Sequence, residues 1–530
     1  MTKSNILLSA MQWNNGLLSL SKGPRLYWLL PLIIVSASCS ITPPPLSKAS
    51  PDILRCSVFF SQLDNAIATH SHFEPGVVRI SGYPSLRTNR FLSSYQQEAL
   101  SPIEKNAWIN ELSRLGRTTY LIEAQRLPMT RADSLTRNLQ QTNSQDAIQY
   151  CSKTLVNALI EHDKNWPLSL AMDKPEDSYS NIARFFGMYP LTSALAKPSI
   201  KQYQADMRRR LEKGAKDFSL IQRYHPITPP ITRTIAPQKT ETVPLSALTI
   251  QQQFSLAYAK SPLAIPQFEE AYLAQLFHLF SPKLQVESTS SSDSIGSPEW
   301  VQNADSALAI NIDLDNVNAY RYLSFTRSKG NVLLQLNYAF WFPERPIQNN
   351  FDIYAGDIDG IIWRVTLDTT GKPWVYDSIH QCGCYHKVYM KNNISSAQID
   401  SSIEEPLYFA LTDDISHPVT LHIDANSHYI VDVSNAASNK AEEDRSSTGY
   451  ELKRYDSLSY LPTTQGPKSL FDDDGIISQS ARIERWFLWP LGVVNAGAMR
   501  QKGTHAIAFV GRRHFDDPFI FDDLGITKKP

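Results

Sequence analysis

The stretch Ile361-Ile-Trp-Arg-Val-Thr-Leu367, Asp368-Thr-Thr-Gly371, Trp374-Val-Tyr376 decides the fold class. A run of β-branched and aromatic residues meets an Asp/Thr/Gly turn, and a second short run returns. Together 361–376 reads as a β-hairpin. Working outward, Ala307–Asp313 and Val332–Tyr338 upstream have the same strand character. Downstream, Val419–Ile423 and Tyr429–Val433 flank a 424–428 turn and predict a second hairpin, and His505–Val510 reads as a further strand. Residues 305–525 are therefore expected to form an antiparallel, strand-rich domain.

Upstream the period changes. Cys56, Phe59, Phe60, Leu63 and Ile67 recur at helical spacing over 54–70. Leu86–Tyr95, Ile103–Tyr120, Asp146–Ile160, Tyr179–Phe186 and Ile200–Gly214 also read as helices, and Pro102 suits a helix start. Residues 54–220 are expected to be a mainly helical domain. Between the domains, 221–304 reads as an irregular and partly helical connection. It contains the proline-rich 225–230 and 237–244, a helical 268–280, and a Ser-rich run Glu287–Pro298 expected to be a linker or exposed loop. The expected class is α+β, a helical amino-terminal domain before an antiparallel strand-rich one, and no internal repeat is discernible.

Composition is globular, with 42% apolar and 19% charged residues. Lys+Arg 51 against Asp+Glu 52 leaves a net charge of -1, so no nucleic-acid partner is expected. Aromatics, 10% of the chain, are dense beyond residue 320 and predict a well-packed core there.

Lys22 and Arg25 precede the apolar run Tyr27–Val35, small residues Ser36-Ala-Ser38 follow, and Cys39 comes next. This is the order of an export signal, and the run is short for a membrane-spanning helix. Val35-Ser-Ala-Ser-Cys39 resembles a bacterial lipobox. The resemblance implies that 1–38 is a signal peptide, that Cys39 carries diacylglycerol, and that its new amino group is acylated, with palmitate as an expected chain. Ser36 stands where the lipobox usually has Leu. Ser40 lacks the inner-membrane retention pattern, which implies the outer membrane of a Gram-negative envelope, periplasmic face, with 39–53 as a tether. The partners expected are the membrane, through this lipid, and an envelope protein. Patches such as Arg79–Leu92, Phe186–Pro190 and Tyr376–His386 are similar to those of uncharacterised Gram-negative lipoproteins, which carry no activity to transfer. In an oxidising compartment Cys56 and Cys151 are candidates for a disulfide.

The densest chemical constellation is His380-Gln-Cys382-Gly-Cys384-Tyr-His386. Thiolate and imidazole suit zinc or copper, and the spacing of two places all four side chains on one face of an extended segment. Three readings stay open: a metal site, a strained Cys382–Cys384 disulfide, and packed thiols and imidazoles. A cysteine–histidine nucleophile is a subset of these. Asp352, Asp357 and Asp359 form a candidate calcium turn, without the full twelve-residue loop pattern. Glu484 and Asp516 are candidate general acids. No G-x-S-x-G, H-E-x-x-H or phosphate-loop motif occurs. The expected function is a non-enzymatic envelope lipoprotein with a structural, assembly or ligand-binding role. The alternatives are a periplasmic metal- or thiol-dependent enzyme at 380–386 and a metal-binding or sensing module.

Overall fold

The Asp368–Gly371 hairpin lies within a long curved sheet of a computed structural model that describes residues 50–128, 134–139, 141–162, 177–216, 218–227, 247–391, 394–396, 406–411, 415, 417–435 and 447–528. All of these fall in one compact unit, Thr42–Pro530. Cys39, its leader and most of the proline-rich 225–244 stretch lie outside the described residues.

The amino-terminal region is helical, with α1 (Pro51–His70), α2 (Arg90–Ser93), α3 (Pro102–Gln125), α4 (Ser144–His162), α5 (Asn181–Phe186) and α6 (Tyr189–Lys213). Local chemistry explains the start of α3. The Ser101 side chain accepts from the Glu104 amide, and Glu104 accepts from the Ser101 amide, a reciprocal cap with Pro102 just inside. The predicted periodicity of α1 is used fully, since Cys56, Phe59, Phe60, Leu63 and Ile67 all enter one core with Tyr120 and Ile148. Cys56 and Cys151 form a disulfide that ties α1 to α4. Of the helix expected over 86–95 only Arg90–Ser93 forms, because Leu86–Thr88 belongs to a strand. The pair β1 (Val78–Ile80) and β2 (Tyr83–Thr88) buries Leu86 and Arg87, and only the short α2 follows, capped by Asn89.

The carboxy-terminal region is strand-rich, and among the described residues its sheet has eleven strands. They are β3 (Ile221–Pro226), β4 (Lys283–Glu287), β7 (Asn318–Ser328), β8 (Asn331–Arg345), β9 (Gly356–Leu367), β10 (Pro373–His380), β11 (Lys387–Lys391), β13 (Leu407–Leu411), β14 (Val419–Ile423), β15 (Ile430–Asn435) and β16 (Ser447–Arg454). Their order is β13-β11-β10-β9-β8-β7-β16-β3-β4-β14-β15. The contiguous block β7 to β11 is antiparallel, and parallel pairings such as β16 with β7 extend it. The stretch 221–304 thus contributes β3 and β4 to the middle of the sheet. Two smaller pairs complete the set, β5 (Ser297–Gln302) with β6 (Leu308–Asp313) and β12 (Ile394–Ser396) with β17 (Ile526–Lys528).

The sheet curls almost into a barrel. Side chains from distant strands, including Leu284, Phe340, Trp363, Tyr376, Tyr389 and Leu421, share one inner core, and α8 (Glu270–Phe280) contributes Leu276 and Phe277 to it; α7 (Ala247–Ala259) adds Phe254. The outer face of β9 and β10 packs into a second core with Ile362, Ile379, Phe471, Phe515 and Phe521. Both faces are covered, so the strands read as continuous apolar runs. His505–Val510 is a correction to the expected strand. Only Ala506 makes a ladder bridge, to His514, while Ile507 and Phe509 plug the second core. The Ser-rich run is also not an exposed loop, since Ser292, Asp293 and Ser297 are buried.

Candidate functional site

The geometry at 380–386 follows from one tight turn. The Gly383 amide donates to the His380 carbonyl (2.8 Å), and the His380 amide donates to the Cys384 carbonyl (3.0 Å). Gly383 has φ +91°, and a Cβ there would lie 2.3 Å from the Ala506 carbonyl oxygen, so only glycine fits. Tyr385, at φ +62°, completes the reversal into β11. The turn sends the two imidazoles to opposite faces of the sheet. His380 joins the inner side, with Nδ1 3.6 Å from Asp359, and His386 joins the outer side, with Nε2 3.0 Å from Asp377.

The structure therefore does not bring His380, Cys382, Cys384 and His386 together around one point. Neither Cys382 nor Cys384 is in a disulfide, and both are buried. Cys382 packs in the outer core, where the Arg500 guanidinium donates to its carbonyl (3.2 Å). Among the described residues no group of three or more His, Cys, Asp or Glu side chains is arranged to hold a metal ion. The three aspartates of the calcium turn also separate. Asp352 accepts from the Gln348 and Tyr354 amides, Asp357 is exposed, and Asp359, within β9, is buried.

Each histidine instead belongs to a charge network. On the outer side Arg364 grips Asp377 with two nitrogens (2.8 and 2.5 Å) and stacks on Phe515. Burial works to raise the Asp377 carboxyl, but Arg364 and His386 hold it below the usual carboxylate range. On the inner side Asp359 lies between His380 and His428, the latter at 2.8 Å, and His428 stacks flat on Phe342 and lies 3.5 Å from Asp293. Burial opposes charge at every member of this chain. The two carboxylates nevertheless overcome it at His428, whose pKa is raised, and Asp293 is held at about 2. At His380 burial wins, and the ring stays neutral with a pKa of about 4. Chemically, this is a carboxylate–imidazole–carboxylate line ending on a neutral imidazole.

That terminal ring lies against Tyr385 (4.9 Å between centroids) and Tyr429 (5.3 Å). The two tyrosines belong to the wall of a cleft of about 190 Å³, shared with Tyr203, Tyr354, Cys384 and Glu484 and with the apolar Ile200, Leu488, Leu491 and Phe509. Tyr385 packs on Tyr203 and Tyr429 at 5.4 and 4.8 Å. Arg345 sits over the rings of Tyr354, Tyr385 and Tyr429 and donates to the Tyr429 hydroxyl (3.3 Å). Burial pushes the Tyr385 and Tyr429 phenols up, so they remain neutral hydrogen-bonding groups. Burial also pushes the Glu484 carboxyl up to about 7, against the opposing pull of Arg345 and Arg482. The arrangement presents aromatic walls, phenol hydroxyls, one carboxyl that exchanges its proton near neutrality, and one thiol.

Of the residues singled out from sequence, Cys384 and Glu484 reach this cleft, and His380 lies behind its wall. Asp516 pairs with Arg90 at 3.3 Å elsewhere. Tyr385 lies inside the cysteine–histidine motif, and Arg345, Tyr429, His428 and Asp293 were not anticipated. Their only sequence signal is the aromatic density beyond residue 320, because no spacing links 293, 345, 428 and 484 along the chain. Compared with known proteins, the chain matches no family model, no curated protein and no solved structure.

Proposed function

We propose that this chain is an envelope lipoprotein, anchored through Cys39 at the periplasmic face of the outer membrane, whose body binds a small ligand in the tyrosine-lined cleft. The observation that carries the binding reading is the cleft itself. Four tyrosines and one buried carboxyl converge on a concave, largely apolar space, the usual make-up of a small-molecule site. The Cys56–Cys151 disulfide supports an oxidising compartment, and the lipobox-like segment supports the anchor. The test is to purify the full chain, denature it, and identify co-released small molecules by mass spectrometry, beside a Tyr385→Ala variant. A ligand released by wild type and missing from the variant is expected. Equal release from both, or none from either, refutes the cleft as the binding site. Intact mass reads the anchor separately.

A second reading has one observation in its favour. Glu484 titrates near neutrality in the same cleft as the Cys384 thiol, which is the equipment for proton transfer to or from a bound molecule. If the cleft is an active site, consumption of its ligand falls with Glu484→Gln while binding survives. Unchanged turnover in that variant removes Glu484 as the proton-transfer group.

A further inference from the structure

One face of the protein is far more apolar than a monomer surface ordinarily is. Ile182, Phe185 and Phe186 of α5 are 72–78% exposed, Leu195 of α6 is 68% exposed, Trp486 of α9 (Arg485–Leu488) is 68% exposed, and Phe351 is 72% exposed. At the size of such side chains these six alone present on the order of 800 Å², above the few hundred expected of a contiguous patch.

The elements are locked side by side. The Ser180 amide donates to the Gly492 carbonyl (2.7 Å), and the Arg184 guanidinium donates to the Leu491 carbonyl (2.9 Å). Gly187 packs so tightly on Pro490 that a Cβ would lie 2.4 Å from its Cα. Across the patch, the Phe351 and Phe487 rings are 6.4 Å apart. The exposed side chains therefore form a standing surface held by backbone contacts.

Cations predominate in the segments that build this surface. The stretch 181–201 contains Arg184, Lys197 and Lys201 and no acidic residue, and Arg485 stands beside Trp486, whereas Arg500 is buried on backbone carbonyls and adds nothing to the surface. Of the acids nearby, Asp177 is paired with Arg512, Glu484 lines the cleft wall and Asp352 accepts from two backbone amides. Bulky aromatics flanked by Lys197, Lys201 and Arg485 match the interfacial zone of an anionic bilayer, where amphipathic rings sit at headgroup depth. No helix among the described residues is long and apolar enough to cross a membrane, so the fit is to a surface. The tyrosine cleft is built from the same elements. Leu488 and Leu491 come from the α9 turn, Ile200 from α6, and Tyr354 from the loop that carries Phe351.

We infer that this face seats on an anionic phospholipid surface and presents the cleft to it, so that the ligand drawn into the cleft is an acyl-chain amphiphile. The identity of the ligand rests on the cleft reading above, whereas the seating of the face does not.

The test uses the full chain in vesicles of phosphatidylcholine and phosphatidylglycerol, with and without bromine on the acyl chains. Bromine quenches tryptophan on contact, so the difference between wild type and Trp486→Phe isolates residue 486. Expected is strong quenching of the Trp486 contribution, weakened by raised salt or by omission of phosphatidylglycerol. An unquenched Trp486 overturns the inference, and so does a Trp486 shielded from lipid by a co-purified protein. Retained Cys56–Cys151 linkage and unchanged thermal unfolding establish that the variant is folded. Quenching in a chain whose intact mass shows no lipid on Cys39 sinks the anchor and leaves the docking face standing. A lipidated chain without quenching does the reverse. Co-released phospholipid or fatty acid that disappears in Tyr385→Ala supports the ligand class, and a non-acyl ligand overturns that part.

Discussion

Replacing Glu484 by glutamine should make the protein more stable at alkaline pH and leave it nearly unchanged in acid. The carboxyl is only 5% exposed, and burial displaces its pKa from 4.5 to about 7, with Arg345 and Arg482 opposing. A tenfold change in proton affinity is worth about 1.36 kcal/mol, so the displacement from 4.5 to about 7 amounts to about 3 kcal/mol. The sign follows from proton counting. Between those two values the folded chain holds a proton that the unfolded chain has released, so stability is greatest below 4.5 and falls as pH rises through about 7. Glutamine keeps the neutral shape and has no proton to lose. Urea unfolding of wild type and Glu484→Gln at a series of pH values isolates the effect, because every other titrating group cancels in the difference. The two should coincide near pH 4 and separate by about 3 kcal/mol at pH 8, with glutamine the more stable. Parallel curves, or a glutamine variant less stable at pH 8, would refute the account and mean that Arg345 holds Glu484 as a carboxylate.

Asp377→Asn leaves Arg364 buried without its counter-charge, and a loss of about 3–5 kcal/mol in urea unfolding is expected. The stability Asp377 confers is complete above pH 3.8 and lost as pH falls through its depressed pKa, so wild type and variant should converge in strong acid. Cys56 and Cys151 are 95 residues apart, and a Cys56→Ala/Cys151→Ala chain should lose about 4–5 kcal/mol by the loop-entropy relation. A loss near zero would show that the helical region is held by packing alone. Thiol titration after unfolding should find Cys382 and Cys384 alone in a lipidated chain, and a third thiol only if Cys39 is unmodified. Gly383→Ala should disturb both charge networks, because its Cβ would strike the Ala506 carbonyl; an unchanged melting temperature would contradict the tight turn.

Local patterns in the chain carry the local structure and little else. The 361–376 hairpin, the helical spacing of α1 and the Pro102 start of α3 were legible because each depends on neighbours within a few residues. Leu86 and Arg87 misled because the strand they enter is stabilised by pairing with β1, a contact that helical propensity does not report. The run 287–298 misled for a different reason. It is polar because Asp293 must meet His428 and accept from Thr289 and Asn426, so its polarity serves a buried network and not solvent. The same distinction governs the cysteine–histidine motif. Spacing of two puts four ligands on one face only if the segment stays extended. Gly383 and Tyr385, both at positive φ, fold it into a turn that splits the imidazoles between two faces, each with its own carboxylate. A motif that reads as a ligand set is thereby spent on two charge networks, one on each side of β10, and what it contributes to the cleft is Cys384 and the ring of Tyr385. The cleft could not be read from spacing, because Arg345, Tyr429 and Glu484 meet only after the sheet has curled far enough for the Tyr389 hydroxyl of β11 to approach the Ile430 carbonyl of β15 (3.5 Å).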